Sequence, residues 1–263
     1  MSAHYDDSAF SYTRYWQGRE YEHQSEIIAL NRLLSHLNFT TSADIGGGFG
    51  RLTPILARHS QKTLLIEPSA RMRRLVPKNQ PVIAGTATHT HQPDASLDCA
   101  MLIRVLHHLP NLQPVFAEMA RIIKPHSYLA IEFANSANFK SRLASWLSGQ
   151  PILPTPVDLR SPGSIRKKYI HFVNHHPATV LKTLRLCHFE PLRLLSVSNF
   201  RSPLLKKILP LKFLLWLETI SQSLLSGFYF GPSIFVLARR FDPFDKLRVN
   251  GERSRTIDKS ANL

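Results

Sequence analysis

The chain has 263 residues and 43% hydrophobic content, enough for one enzyme-sized domain with a large core or a core carrying an insertion. Its two cysteines, Cys99 and Cys187, lie far apart and exclude a disulfide framework, and no His-Glu-x-x-His motif or cysteine cluster marks a metal centre. The formal charge of +15 is uneven: residues 1–138 carry 13 Lys and Arg against 11 Asp and Glu, residues 139–240 carry 15 against 3, and the last 23 residues carry 5 against 4. The basic second half suits an anionic substrate or an anionic surface, whether lipid or nucleic acid, and equally a merely solvated basic face.

In chain order, residues 1–38 read as a helical cap. Tyr12, Tyr15, Trp16, Arg19, Tyr21 and Glu22 precede an apolar run at helical spacing, Ile27, Leu30, Leu33, Leu34 and Leu37. A short apolar strand then closes at Asp44, followed by Gly46, Gly48 and Gly50 at every second position and a helix-like run from Leu52 to Ala57. Strand, glycine turn and helix is the plan of a nucleotide or nucleoside site, because backbone without a Cβ can turn sharply and lie against a ligand. The spacing is not that of the dinucleotide fingerprint, whose third glycine would fall on Arg51. A second strand, Thr63 to Ile66, ends in Glu67, 21 residues after Gly46, about where an acid from the next strand meets a ribose. A carboxylate accepts from both hydroxyls of a vicinal diol. Farther on, Cys99 to Ile103 is another buried strand, and Val105-Leu106-His107-His108-Leu109 follows it.

The stretch D-x-G-x-G-x-G over 44–50 resembles motif I of the class I S-adenosylmethionine (SAM)-dependent methyltransferases. Four further stretches support the resemblance in order. Pro68 to Met72 resembles the turn after the ribose acid. Gly85 to Asp98 follows the family pattern in register at Gly85, Ala87, Asp94, Ser96 and Asp98. The V-L-H-H-L stretch is similar to the family's own, and Glu118 to Phe133 resembles its helix, turn and fifth strand. The resemblance covers roughly residues 20–135, and the stretch is similar to the quinone and sterol methyltransferase group. It departs at Thr86, where the family usually has an acid facing the adenine amino group, and at Thr90-His91-Gln92, which replace an apolar Leu-Pro-Phe wall.

The resemblance implies an α/β, Rossmann-like, doubly wound, seven-stranded and mostly parallel sheet with helices on both faces and an antiparallel strand seven. It implies SAM as cofactor, with Asp44, Gly46, Gly48 and Gly50 shaping its turn, Glu67 on the ribose, and Thr86 and Ala87 by the adenine. Arg104 then lies near the methionine end or the acceptor, and Arg19 is a candidate partner for the methionine carboxylate. His107 or His108 is a candidate general base near the acceptor, since imidazole titrates near neutrality; the alternative is a helix-start residue that shapes the pocket.

The methyltransferase domain is expected over 39–240. Residues 139–165 read as a Pro-rich loop or lid around a short helix from Phe139 to Leu147, and a helix from Ala178 to Leu186 follows. Strand six runs from Phe189 to Val197 and strand seven from Ser233 to Arg239, with a helical insertion over 200–230 between them. The insertion interleaves Lys206, Lys207 and Lys212 with apolar residues. It reads as a helix packed on the sheet, or as a basic amphipathic segment in peripheral contact with a membrane. No window inserts well as a membrane span, since Thr219 to Ala238 carries Gly227, Gly231 and Pro232. Residues 241–263 read as a disordered tail. The start M-S-A-H-Y-D-D has no signal-peptide character, so a cytoplasmic protein is expected.

The expected partner is a small-molecule acceptor, lipid-like or anionic. A nucleic-acid methyltransferase is the charge-based alternative. The stretch after strand four reads I-R-V-L rather than the N-P-P-Y-like tetrad of base-amino methylases, and argues against it. A non-catalytic SAM-binding or lipid-binding module is the other alternative, suggested by Thr86. Nothing in the sequence speaks to oligomeric state.

Overall fold

Apolar runs too short for helices and bounded by turn residues build one central sheet. The computed structural model describes residues 18–166 and 171–242; the aromatic residues Tyr12, Tyr15 and Trp16 and most of the 241–263 tail lie outside these. In the first half, helix α1 (Glu20–Leu34) precedes strand β1 (Phe39–Ile45), α2 (Thr53–Ala57), β2 (Ser60–Ile66), α3 (Ala70–Arg74), β3 (Val82–Ile83) and β4 (Leu97–Leu102). A 3-10 turn (Leu106–His108) leads to α4 (Gln113–Ile122) and β5 (Ile123–Ala134). The second half adds α5 (Phe139–Ser148), β6 (Val157–Asp158), α6 (Pro162–Arg166), β7 (Val173–Asn174), α7 (Pro177–Leu186) and β8 (Phe189–Val197). It closes with α8 (Pro203–Ile208), α9 (Leu211–Leu224), a second 3-10 turn (Ser226–Phe228) and β9 (Ser233–Arg240).

The main sheet has seven strands in the order β3-β2-β1-β4-β5-β9-β8. The first five are parallel, and β9 runs antiparallel to both β5 and β8. This is the sheet the sequence led one to expect, with its antiparallel last strand. Side chains alternate between faces. Ala43, Ile45, Ala100, Leu102 and Leu129 point to a core closed by α4 and α7, with Phe116 and Val180 fully buried. Cys99, Met101, Ala130 and Phe235 point to a second core closed by α1 and α2 through Leu30, Leu33 and Leu56. Each such buried large side chain contributes about 1.5–3 kcal/mol. Pro191, which lacks an N–H, sits at the register shift between Pro191 and Arg193 on the edge strand β8, where a ladder bond is dispensable.

Strand β2 begins three residues earlier than its apolar stretch, because Ser60, Gln61 and Lys62 lie at the exposed end of the pairing with β1. The 139–165 segment contains α5, α6 and one strand of a two-stranded antiparallel sheet, β6–β7. Strands of two residues have no period to read in a sequence. The insertion folds as α8 and α9. Helix α9 packs on α1 and β8, anchored by the buried Leu214 and by Glu218, which is wholly inaccessible. Among the described residues no helix is long and apolar enough to cross a membrane.

Candidate active site

The order of the strands reverses between β1 and β4, and a cleft at the carboxyl ends of such strands is where α/β folds bind ligands. Asp44 pairs with Leu65 of β2 on one side and Met101 of β4 on the other, so motif I opens at that point. Gly46, Gly48 and Gly50 have φ of 71°, 62° and 86°, a region that a Cβ disfavours. A Cβ on Gly46 would lie 2.6 Å from Val105 Cγ2, and one on Gly47 would lie 2.5 Å from Asp44 Oδ2. Asp44 therefore supports the turn from beneath. Burial pushes its carboxyl up to about 6, while the hydrogen bond from Thr53 Oγ1 at 2.6 Å and the charge of Arg51 oppose that rise.

Glu67 stands where β2 ends, buried against the glycine turn. Gly48 N–H donates to its Oε2 at 3.0 Å and Ser69 N–H to its Oε1 at 2.9 Å. A carboxylate offers about four acceptor positions, and those two backbone donors fix its orientation. Thr86 is exposed on a tight turn closed by the Thr86–His89 backbone pair, and Ala87 beside it is buried. Gly85 packs so closely that a Cβ would meet Ile66 Cγ2 at 2.6 Å.

Thr90 is fully buried. Its N–H and hydroxyl donate to Glu118 Oε1 at 2.8 and 2.6 Å. Burial alone would raise the Glu118 carboxyl, but hydrogen bonds from Arg121 and Thr90 bring it down to about 2. Arg121 also reaches Asp94 at 2.5 Å. The polar residue at 90 is thus a structural link from this loop to α4.

A second polar group gathers around Arg104; its other members, Glu26, His23 and Glu132, were not singled out from sequence. Glu26 of α1 accepts from Arg51 Nη2 at 2.5 Å and lies 4.0 Å from Arg104 Nε. Arg51 Nη1 donates to His23 Nδ1 at 2.5 Å, and burial followed by the Arg51 charge holds that imidazole below its usual range. Arg104 adopts φ 65°, and its N–H donates to Oε2 of the buried Glu132 at 3.0 Å. Ser233 donates to the other oxygen of Glu132. Burial raises the Glu132 carboxyl, opposed by the charge of Arg104. The signals were a glutamate on the apolar face of α1 and another inside the apolar strand L-A-I-E-F. Arg19, at the start of α1, lies one turn ahead of His23 and accepts that residue's N–H through its carbonyl at 3.0 Å.

The 3-10 turn carries the histidines. The His107 ring is buried, 3.9 Å from the His108 ring and 4.9 Å from Phe172. Burial, then the neighbouring His108, Arg104 and His175, hold its imidazole well below its usual range. His108 Nδ1 lies 3.0 Å from the His171 carbonyl. A carbonyl only accepts, so Nδ1 carries the proton and Nε2 of the neutral ring is the basic nitrogen. His175, buried behind them, donates from Nε2 to the Leu106 carbonyl at 3.0 Å. Among the described residues no group of three or more His, Cys, Asp or Glu could hold a metal ion.

The site's own chemistry fits a nucleoside cofactor: a glycine turn at the strand switch, a fixed carboxylate beside it, and a small buried residue next to a hydroxyl on the third loop. Residues 43–131 match the family model described as a methyltransferase domain. No curated protein matches the chain in sequence. Among solved structures, the fold is similar to a SAM-dependent methyltransferase and possible histamine N-methyltransferase from Thermotoga maritima (18% identity, TM-score 0.61, covering 90% of this chain and 97% of that one). It is also similar to a putative SAM-dependent methyltransferase from Listeria monocytogenes (14%, 0.58, 85% and 100%). A third is a SAM-dependent methyltransferase from Mesorhizobium loti (16%, 0.56, 82% and 98%).

Proposed function

We propose that this chain, whose residues 43–131 match a methyltransferase domain, is a class I SAM-dependent methyltransferase that transfers the methyl group of SAM to a small acceptor of apolar or anionic character. The single observation that carries the cofactor side is Glu67, oriented by the N–H of Gly48 at the end of β2. There it would take the ribose hydroxyls, with Thr86 and Ala87 beside the adenine and Arg104 and Arg19 toward the amino-acid end. Bound SAM supplies a methyl group activated on a sulfonium. The chain then has mainly to align acceptor and cofactor and exclude water.

On the acceptor side, His108 is half-exposed, its Nδ1 is 3.0 Å from the His171 carbonyl, and it is the candidate general base. His107, packed between His108 and Phe172, shapes the wall. Calorimetric titration with SAM and with S-adenosylhomocysteine tests the reading. Micromolar binding by the wild type is expected, with a loss of about tenfold or more in Glu67→Ala, since charge-assisted hydrogen bonds are the stronger kind. Absence of binding of either ligand by the wild type would overturn it.

A further inference from the structure

Helix α5 has no buried residue, yet Leu143, Trp146 and Leu147 lie on it at helical spacing, with Trp146 78% exposed and Leu147 71% exposed. Helix α9 repeats the pattern. Its inner side holds Leu214 and Glu218 against the body, while Trp216, Ile220 and Leu224 face outward, Trp216 at 56% and Leu224 at 68% exposure. One contact links the two helices. The chain leaves α9 through the exposed Phe228, and Phe230 then stacks on Phe139, the first residue of α5, at 4.8 Å. The Phe139 N–H also donates to the Phe230 carbonyl at 2.9 Å. The two exposed faces, linked at the Phe139–Phe230 stack, form an apolar belt holding two of the chain's three tryptophans. Monomeric proteins rarely leave a contiguous apolar patch of this kind without a partner.

Its charge selects the partner. Lys140 and Arg142 lie on α5, Lys207 on α8 and Lys212 on α9, whereas Lys206 of α8 is paired with Glu22 of α1 at 2.9 Å. Residues 139–240 hold only three carboxylates. Asp158 is engaged by Arg160, Glu190 by Arg185, and Glu218 is buried, so no exposed acid lies on these helices. Tryptophan and leucine with flanking lysine is the composition that seats a helix at a lipid headgroup boundary. A second copy would bring lysines against lysines. A nucleic-acid backbone would leave the leucines and isoleucine without an apolar partner.

We propose that this belt docks the protein on an anionic phospholipid bilayer. Helix α5 starts immediately beyond β5, where Asn135 donates to the carbonyls of Tyr229 and Gly231 at 2.7 and 2.8 Å. Docking therefore places the carboxyl ends of the strands, and the candidate site, next to the membrane surface. That the acceptor is drawn from the lipid phase rests on the methyl-transfer reading; the docking itself does not.

The full chain is floated with vesicles of phosphatidylcholine alone and of phosphatidylcholine with phosphatidylglycerol, while tryptophan emission is recorded. Flotation with the anionic vesicles and a blue shift are expected. Binding should fall about tenfold or more in Trp146→Ser/Trp216→Ser and become less salt-sensitive in Lys207→Glu/Lys212→Glu. Unchanged S-adenosylhomocysteine affinity in these variants reports that they are folded. No flotation at low salt, or equal flotation of wild type and the tryptophan variant, overturns the proposal. So does a lipid-independent dimer dissolved by the tryptophan variant, or retention on an oligonucleotide without vesicle binding. Flotation by a protein that binds neither SAM nor S-adenosylhomocysteine supports docking and sinks the methyl-transfer reading.

Discussion

Asp44 is a wholly buried carboxylate whose ionised form the fold disfavours, its carboxyl being raised from 3.8 to about 6. The native state holds that proton to higher pH than the unfolded chain does. The stability tied to it is therefore complete below the unfolded value and lost as pH rises through about 6. Asp44→Asn keeps an oxygen to accept from Thr53 but has no proton to lose. In urea titrations the stability of the variant should gain on the wild type between about pH 4 and 6, by up to about 3 kcal/mol. At Gly46 the constraint is steric as well as conformational. Gly46→Ala puts a methyl against Val105 at φ 71° and should cost about 1–3 kcal/mol in the same measurement. His108→Gln should lower kcat by about a hundredfold with S-adenosylhomocysteine affinity unchanged. An unchanged kcat would leave the turn with a shaping role only.

At the scale of elements, one carboxylate ties the insertion both to α1 and to the end of β8. Glu218 accepts from the Tyr21 hydroxyl at 2.5 Å and from the N–H groups of Ser198 and Asn199 at 2.7 and 3.0 Å. Burial raises the Glu218 carboxyl, partly offset by the hydrogen bonds from Tyr21 and Gln222. Burial, then the neighbouring Glu218, likewise drives the Tyr21 phenol well above its usual range. These bonds join α9 to α1 and to the end of β8. Glu218→Ala would strand buried donors at all three places and should lower stability by about 2–4 kcal/mol, read as a reduced urea midpoint. The helices themselves were legible in the sequence, because Leu214 and its neighbours recur at helical spacing. Glu218 as the anchor was not, since the donors that tie it to the end of β8 and to α1 lie 19, 20 and 197 residues away.

At the scale of the molecule, α1 is tied to the glycine turn through Glu26 and Arg51 and to the insertion through Tyr21 and Glu218. Cap, sheet and insertion should therefore unfold as one cooperative unit, with far-ultraviolet circular dichroism and tryptophan emission giving coincident urea transitions. S-adenosylhomocysteine at about a hundred times its Kd should raise the Tm of that single transition by about 5–10 °C, because a ligand of the folded state alone adds about 2.7 kcal/mol.

The sequence by itself determined most of the strands and the glycine turn after β1, while the make-up of the sheet and its antiparallel strand were expected from the resemblance of ordered motifs to a family. The strands and the turn are written in local signals: apolar runs of strand length, glycines where φ must be positive, and an acid at a strand end. Thr90 shows the limit of such reading. It departs from the family's apolar wall, and only the packing of α4 reveals Glu118 as the reason. The Glu26–Arg51 and Arg104–Glu132 links, the cluster of His107, His108 and His175, and the belt joining α5 to α9 were decided by tertiary structure alone. They bring together residues far apart in the chain, and charge pairing and ring contact leave no period along the sequence. The acceptor side proposed at His107 and His108 rests on such contacts, so it became readable only once the chain was folded.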